Sequence, residues 1–354
     1  MGIFDIFKGK KRKVTIMPSG TTFEVEHGQT LLEAGLAEGY AMPHSCKVGT
    51  CGECKSHKTE GKIRELINFG YVLEAEELQN DYILPCRSLL KSDVVLDMPN
   101  FELKRLHPPQ DFTGKIKKTI DLTDDIKKVV ISLDKDMEFD AGQYVELQID
   151  QIREPRSYSY AIPPVKNGTN EIELFIRKVP NGKFTSLLFD GQLENKELKV
   201  KGPLGNFWLR DGDTPLICIG GGSGLAPLIS ILEDTIAQSV KRDCILFFGA
   251  RTQSDLYVLD QIKKIEERWQ GSFLFVPVLS DEPEDNSWTG DRGFVHTAIK
   301  KYAEKYIDSK PHVYLCGPPV MIEAATKVAI DIGISDDNIY ADNFFDSSNK
   351  KVAK

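Results

Sequence analysis

Apolar positions along the chain change rhythm from one stretch to the next. Val14-Thr15-Ile16 and Phe23-Glu24-Val25 alternate on either side of Pro18-Ser19-Gly20, which predicts a β-hairpin. Thr30 with Glu33 three residues on predicts a capped helix. Its apolar side is Leu31, Leu32, Ala34 and Leu36, and Gly39 ends it. Val94-Val95-Leu96 predicts a closing strand. Residues 103–111 hold Lys104, Arg105, His107 and Pro108-Pro109, the composition of a linker. Residues 112–210 carry short β-rich runs at 128–133, 143–149, 171–177 and 198–200 with sparse helical periodicity, which predicts a small antiparallel barrel. Beyond 211, short wholly apolar runs at 215–219, 244–248, 273–279 and 313–315 alternate with helical stretches such as 260–268. That alternation predicts a parallel sheet with helices on both faces.

Composition adds limits to this picture. The 354 residues suit two or three domains, each long enough to bury a core. With 45 basic against 53 acidic residues and a net charge of −8, the chain does not read as a nucleic-acid binder. No apolar run approaches the roughly 18 residues of a membrane span. The opening residues 1–13 place Phe4, Ile6 and Phe7 before their basic residues, unlike a secretory signal, and Ile6 stands where an N-myristoylation motif wants Ser or Thr. They read as a solvated terminal tail, with at most weak membrane association. Seven cysteines without such a signal point to a reducing compartment, the cytoplasm, with thiols and metal rather than disulfides.

Four of those cysteines form a pattern. Cys46, Cys51 and Cys54 follow C-x4-C-x2-C, and Cys86 comes after a gap. Four soft thiolates so spaced suit a [2Fe–2S] cluster. Gly49 and Gly52 allow the tight wrap such a loop requires. A structural zinc site usually shows two short pairs, whereas Cys86 stands alone. A Rieske centre needs two histidine ligands, and Cys54-x2-His57 supplies half of that pattern at most. This segment resembles the plant-type ferredoxins, and the resemblance implies a β-grasp fold.

The barrel segment carries Arg156-Ser157-Tyr158-Ser159, then Gly182-Lys183-Phe184-Thr185-Ser186, then Gly202-Pro203-Leu204-Gly205-Asn206-Phe207. In this order they resemble the flavin domain of the ferredoxin–NADP reductase superfamily. The resemblance implies that Arg156 grips the flavin pyrophosphate, Tyr158 stacks on the isoalloxazine, and Ser159 hydrogen-bonds near its N5, with Ser157 in the same motif. It implies that Gly182, Lys183, Phe184 and Thr185 open a helix whose N–H groups meet the pyrophosphate, with Arg177 adding charge, and it favours FAD over FMN.

After the first strand of the last segment comes Gly220-Gly221-Gly222-Ser223-Gly224-Leu225-Ala226-Pro227. A glycine turn there is where parallel sheets bind dinucleotides. It departs from G-x-G-x-x-G, because Leu225 occupies the sixth place. Gly249-Ala250-Arg251 replaces the usual ribose-binding acid. The turn resembles the nicotinamide motif of the same superfamily, and Cys316-Gly317-Pro318-Pro319-Val320-Met321 resembles its partner. The resemblance places Gly221, Gly222, Ser223, Gly224, Pro227, Gly317, Pro318 and Met321 at the nucleotide, and Cys316 beside the nicotinamide ring. Cys218 and Cys244, mid-strand, read as core. In Tyr340-Ala341-Asp342-Asn343-Phe344-Phe345, Asp342 matches the family's terminal acid and Phe344 the aromatic that covers the flavin, with Phe345 the alternative. Ser159, Cys316 and Phe344 are the expected catalytic residues. Ser280-Asp281-Glu282 after the third strand would repel a 2′-phosphate, which predicts NADH. Arg251 is the counter-indication.

The whole chain resembles the NADH-dependent reductase components of bacterial multicomponent oxygenases, and also the reductase of CDP-6-deoxy-3-deoxysugar dehydration. It is expected to be multidomain: a tail (1–13), a β-grasp ferredoxin domain (α+β, 14–102), a linker (103–111), an antiparallel Greek-key β-barrel for FAD (112–210) and an α/β parallel-sheet domain for NAD (211–354). The implied activity is oxidoreductase electron transfer. NADH gives a hydride, a [2Fe–2S] cluster takes single electrons, and flavin must stand between them. The expected partner is a protein acceptor, an oxygenase or dehydrase component, docking on a monomer. The alternatives are a stand-alone reductase of small acceptors and a zinc-stabilised binding module on a dehydrogenase-like domain.

Overall fold

The structure, a computed structural model, describes residues 10–40, 42–44, 46–99, 107–194, 196–284 and 287–345. Most of the expected tail and residues 103–106 of the expected linker lie outside these. Two compact units divide between Pro109 and Gln110.

The first unit holds β1 (Arg12–Met17), β2 (Thr21–Val25), α1 (Leu31–Ala37), β3 (Ser56–Glu60), β4 (Ile63–Glu65), α2 (Ala75–Gln79), β5 (Tyr82–Ile83), β6 (Ser88–Leu90) and β7 (Val94–Asp97). The expected hairpin is β1–β2, paired antiparallel with Val14 opposite Phe23. It starts at Arg12, two residues inside the expected tail. α1 has the expected capping box: the Glu33 N–H donates to Thr30 Oγ1, and the Thr30 N–H donates to Glu33 Oε2. A five-stranded sheet runs β2-β1-β7-β3-β5, and β4–β6 form a separate ribbon. Val14, Ile16, Leu31, Leu32, Met42, Leu84 and Leu96 make its core, which closes directly beneath the cysteine loop.

The second unit begins with β8 (Gln110–Asp121), β9 (Ile126–Met137), β10 (Tyr144–Ile149), β11 (Ile152–Ser159), β12 (Thr169–Arg177), α3 (Lys183–Phe189) and β13 (Glu197–Leu204). The antiparallel sheet runs β11-β10-β13-β8-β9-β12. Tyr160, just past β11, bridges to Leu174 of β12 and brings the two edges together. Gln110 and Asp111, expected as linker, are already strand, opposite Gly202 and Lys201. Their polarity reflects exposure on the barrel rim, not the absence of pairing.

The chain continues through β14 (Leu216–Gly221), α4 (Leu225–Ala237), β15 (Cys244–Ala250), α5 (Leu259–Arg268), β16 (Phe273–Leu279), β17 (Asp291–Arg292), α6 (Val295–Ala303), β18 (His312–Gly317), α7 (Pro319–Asp331) and β19 (Ile339–Asn343). All six strands are parallel, in the order β17-β16-β15-β14-β18-β19. Leu216, Cys218, Leu246 and Phe248 pack on α4 and α5, while Ile217, Ile219, Ile245 and Phe247 pack on α6 and α7. Burial on both faces is why these strands read as unbroken apolar runs.

Burial has a consequence at high pH. Tyr144, Tyr160 and Tyr257 are pushed well above the ordinary tyrosine value of 10.0, and Cys244 and Cys316 well above the thiol value of 9.0, in each case first by desolvation. The folded state therefore keeps protons that the unfolded chain releases. This stabilisation is complete below the unfolded values and is lost as pH rises past them. We expect the melting temperature of the second unit to hold between pH 7 and 8.5 and to fall above about pH 9–10, each group contributing about 1.4 kcal/mol per pH unit. A melting curve unchanged to pH 10.5 would contradict this.

Candidate functional site

Lys47, Gly49 and Gly52 take φ of 55°, 81° and 78°, the conformation that turns the cysteine loop back on itself. A Cβ at Gly49 would press into Ile67 and the Arg87 side chain. The thiols fall into two pairs. The Cys46 N–H lies 3.5 Å from Cys51 Sγ, the Thr50 N–H donates to Cys46 Sγ at 3.3 Å, and Cys54 Sγ lies 3.3 Å from Cys86 Sγ. Two thiolates on one tetrahedral metal, at about 2.3 Å each, stand roughly 3.7 Å apart, so the second pair is near that spacing. Within each pair one thiol is pushed down and its partner up, because the two share a proton. Cys46 falls to about 4 through the Cys51 thiol and Cys86 falls through the Cys54 thiol, while Cys51 and Cys54 rise.

The surroundings suit an iron–sulfur group. Arg87 Nε and His44 Nε2 are buried without a hydrogen-bond partner among the described residues. The Arg87 stem lies against Gly49 of the loop, and His44 Nδ1 is 2.8 Å from the Met42 carbonyl. An orphaned Arg87 Nε next to Cys86 and the cysteine loop matches a group that brings acceptor sulfurs of its own. A zinc ion held by the same thiolates would bring none. His57 sits on β3, stacked on Tyr82 and 3.9 Å from Asp97.

In the second unit, Arg156 and Tyr158 share one face of β11, and Ser157 and Ser159 the other. Tyr158 reaches Phe184 of α3, with ring centroids 5.7 Å apart, so strand and helix start are adjacent. Arg156 donates to the Glu154 and Pro155 carbonyls at 3.1 Å, and no carboxylate pairs with it among the described residues. It is a cation held in place with its charge uncommitted. Lys183 is exposed at the start of α3. Phe184 is buried in the barrel core and offers only its main chain to a ligand. The Thr185 hydroxyl accepts from the Val179 N–H at 3.2 Å and so closes the turn before α3. Ser157 is exposed.

The glycine turn follows β14. Gly222 takes φ 55°. A Cβ on Gly224 would strike the Cys316 carbonyl, and one on Gly221 would strike Met321 Sδ. The turn and the loop after β18 thus pack backbone to backbone, with Gly317 at φ 148° and Pro318 capping α7. Ser223 is half-buried beside them. Pro227 is buried in the first turn of α4, where its missing N–H breaks no helical bond.

Asp342 gathers the centre. β19 pairs with β18 so that Asp342 lies opposite Cys316. Ser159 Oγ donates to Asp342 Oδ2 at 3.4 Å, and Cys316 Sγ lies 3.9 Å from the same oxygen. Cys316 is fully buried and stays a neutral thiol, held so by desolvation and then by the Asp342 charge. The Phe344 N–H donates to the Gly317 carbonyl at 2.8 Å, and its ring packs on the core. Phe345 is 49% exposed.

Sequence reading passed over two residues here. Asp125, between β8 and β9, accepts from Arg177 Nε at 3.0 Å and from Arg251 at 3.2 Å. Tyr257 donates to the Gly222 carbonyl at 2.8 Å. Neither lies in a motif with characteristic spacing, and only the fold brings them to the turn.

Comparison with known proteins matches these parts. Residues 14–91 match the 2Fe-2S iron-sulfur cluster binding domain, 113–208 the oxidoreductase FAD-binding domain and 218–327 the oxidoreductase NAD-binding domain. The fold and site thus define a flavin- and iron–sulfur-dependent NAD(P)H oxidoreductase, with [2Fe–2S], FAD and NAD as its cofactors. More narrowly, the chain belongs to the family of electron-transfer reductase components of multicomponent oxygenases. It is 35% identical to the xylene/toluene monooxygenase electron transfer component XylA of Pseudomonas putida, over 94% of this chain and 93% of that protein. It is 34% identical to the phenol 2-monooxygenase reductase component DmpP of Pseudomonas sp. (strain CF600), over 94% of each. The crystal structure of the Amycolatopsis cytochrome P450 reductase GcoB superposes with a TM-score of 0.80 at 34% identity, covering 94% of this chain and 98% of that one.

Proposed function

We propose that this chain takes electrons from NADH and delivers them to an oxygenase component. The observation that carries this is the convergence on Asp342, where the flavin-motif strand (Ser159) and the nicotinamide-motif loop (Cys316) meet at one carboxylate. When bound, FAD supplies the exchange between a two-electron hydride and single electrons. In this reading Cys46, Cys51, Cys54 and Cys86 hold the cluster, and Arg87 donates to it. Arg156 grips the flavin pyrophosphate with its uncommitted charge and the N–H groups that the Glu154 and Pro155 carbonyls leave over, assisted by Lys183 and the main-chain N–H groups of residues 182–185, while Thr185 and Phe184 fix the helix that presents them. Tyr158 stacks on the ring, Ser159 presents its hydroxyl toward N5, and Ser157 follows the strand at the rim.

Gly221, Gly222, Ser223 and Gly224 admit the nucleotide pyrophosphate, and Pro227 sets the helix behind them. Gly317, Pro318 and Met321 hold Cys316 at the nicotinamide, where a buried neutral thiol offers shape without charge. Phe344, packed rather than exposed, covers the flavin. Arg177 and Arg251 stand at the nucleotide side. The functional domains are 14–102, 112–210 and 211–354, the second extended to Gln110 by β8. The described cysteines are free thiols, which suits the reducing cytoplasm of this reading, and no described helix is long and apolar enough to cross a membrane; a monomer is the expected state.

The docking face for the acceptor lies around the cysteine loop. Val48 and Tyr71 are exposed there, Tyr71 by 85%. Glu77 pairs with Lys55, and Asp81 with Lys58 at 3.0 Å, which leaves Glu74 and Glu76 outside any ion pair among the described residues. We expect NADH-driven turnover of a purified oxygenase component to require this protein and to slow modestly above roughly 0.1–0.2 M salt. Turnover of small acceptors alone, with no oxygenase supported, would refute the reading.

A further inference from the structure

Arg251 follows β15, at the edge of the sheet where a nucleotide's ribose lies, and by its charge it is suited to a 2′-phosphate. Its surroundings work against that. One NH2 is shared between Asp255 Oδ1 at 2.8 Å and Asp125 Oδ2 at 3.2 Å. Asp125 also binds Arg177 and is itself fixed by Thr123, whose hydroxyl donates to Asp125 Oδ1 at 3.1 Å. The acidic segment after β16 is laced to the same place. The Ser280 N–H donates to the Ala250 carbonyl at 3.0 Å and the Asp281 N–H to the Arg251 carbonyl at 2.8 Å. Glu282 accepts from the Gln253 N–H at 2.7 Å and from Gln253 Nε2 at 2.6 Å. Arg292, the nearby cation, uses its guanidinium on the Glu282, Pro283 and Trp288 carbonyls.

We propose that Asp125 and Asp255 are specificity-determining residues: together they cage Arg251 and deny it to the 2′-phosphate of NADPH. This inference rests on the NADH reading above. A 2′-phosphate carries close to two negative charges at neutral pH. At Arg251 it meets a guanidinium whose NH2 is already hydrogen-bonded to two carboxylates, so it must displace them or sit beside their charge at the remaining N–H groups, with Asp281 and Glu282 at the rim. NADH has a hydroxyl there and displaces neither. Asp125 belongs to the barrel and Arg251 to the nucleotide sheet, so nucleotide choice is set partly by a residue outside the nucleotide domain.

The test is Asp255→Asn and, separately, Asp125→Asn in the holoenzyme. Asparagine at 255 keeps an acceptor for the Thr252 N–H, which Asp255 Oδ2 now holds at 3.0 Å, so the local turn persists while the charge goes. Steady-state kcat/KM is measured with both nucleotides, and calorimetric binding with 2′,5′-ADP and 5′-AMP as probes. We expect the NADPH/NADH ratio to rise about tenfold, mainly through KM, as a freed guanidinium gains a charged partner. Binding of 2′,5′-ADP should tighten in step and that of 5′-AMP should not. Adding Arg251→Ala should return both quantities to the wild-type level. An unchanged ratio in both variants, or a gain that survives Arg251→Ala, would overturn the cage. The wild-type ratio tests the NADH reading by itself, so a wild type that prefers NADPH would refute that reading while the variants still report on the cage.

Discussion

Replacing Cys86 with Ser is expected to abolish reduction of cytochrome c and of any protein acceptor, while NADH–ferricyanide activity stays near the wild-type rate. Cys86 is buried with its sulfur 3.3 Å from Cys54. Serine offers a harder, far less acidic donor in place of a thiolate, so the cluster should be lost or labile. The second unit, from Gln110 on, has its own cores and is expected to fold without the cysteine loop. Ferricyanide takes electrons from reduced flavin directly, whereas a protein acceptor draws on the cluster. Iron and labile-sulfide analysis, the visible spectrum and both assays can be run on one preparation. If flavin reduction disappears with the cluster, the units are not independent and the proposed order of carriers is wrong.

Arg156→Ala should release flavin. Among the described residues Arg156 meets only main-chain carbonyls, whereas Arg177 and Arg251 are both tied to Asp125. Of these three arginines, it alone has its charge available to a phosphate. Loss of a charge-assisted fork is worth on the order of 1.5–3 kcal/mol, which weakens binding about 10- to 150-fold. The variant should purify largely as apo-flavoprotein, and added flavin should restore ferricyanide activity at concentrations higher by that factor. Arg156→Lys should recover part of the affinity, since the charge remains and the fork does not. Chromatography of the flavin released from the wild type should show FAD. Full retention of flavin in the alanine variant, or FMN as the released species, would contradict this assignment.

Features whose physical cause is local were legible in the chain itself. The metal loop needs three thiols and two glycines within a few residues, and Gly49 and Gly52 do adopt the left-handed φ that the wrap demands. Thr30 and Glu33 cap α1 because a capping box closes within one turn. Strands β14, β15 and β18 announced themselves because burial on both faces leaves almost no polar position.

The rest depends on residues far apart in sequence. β19, which holds Asp342, was invisible as a strand: each of its five residues is half-buried, and among the described residues its pairing lies with β18 alone. That register decides that Asp342 faces Cys316, and the closing of the barrel against the parallel sheet decides that Ser159 reaches it across 183 positions. Arg251 looked like a phosphate ligand by residue type. Asp125, 126 positions away, decides that it is caged, because an ion pair forms by proximity in space and leaves no periodicity or spacing along the chain. The sequence by itself determined the carriers and their order along the chain; the tertiary structure alone decided which charges are paired and which remain free.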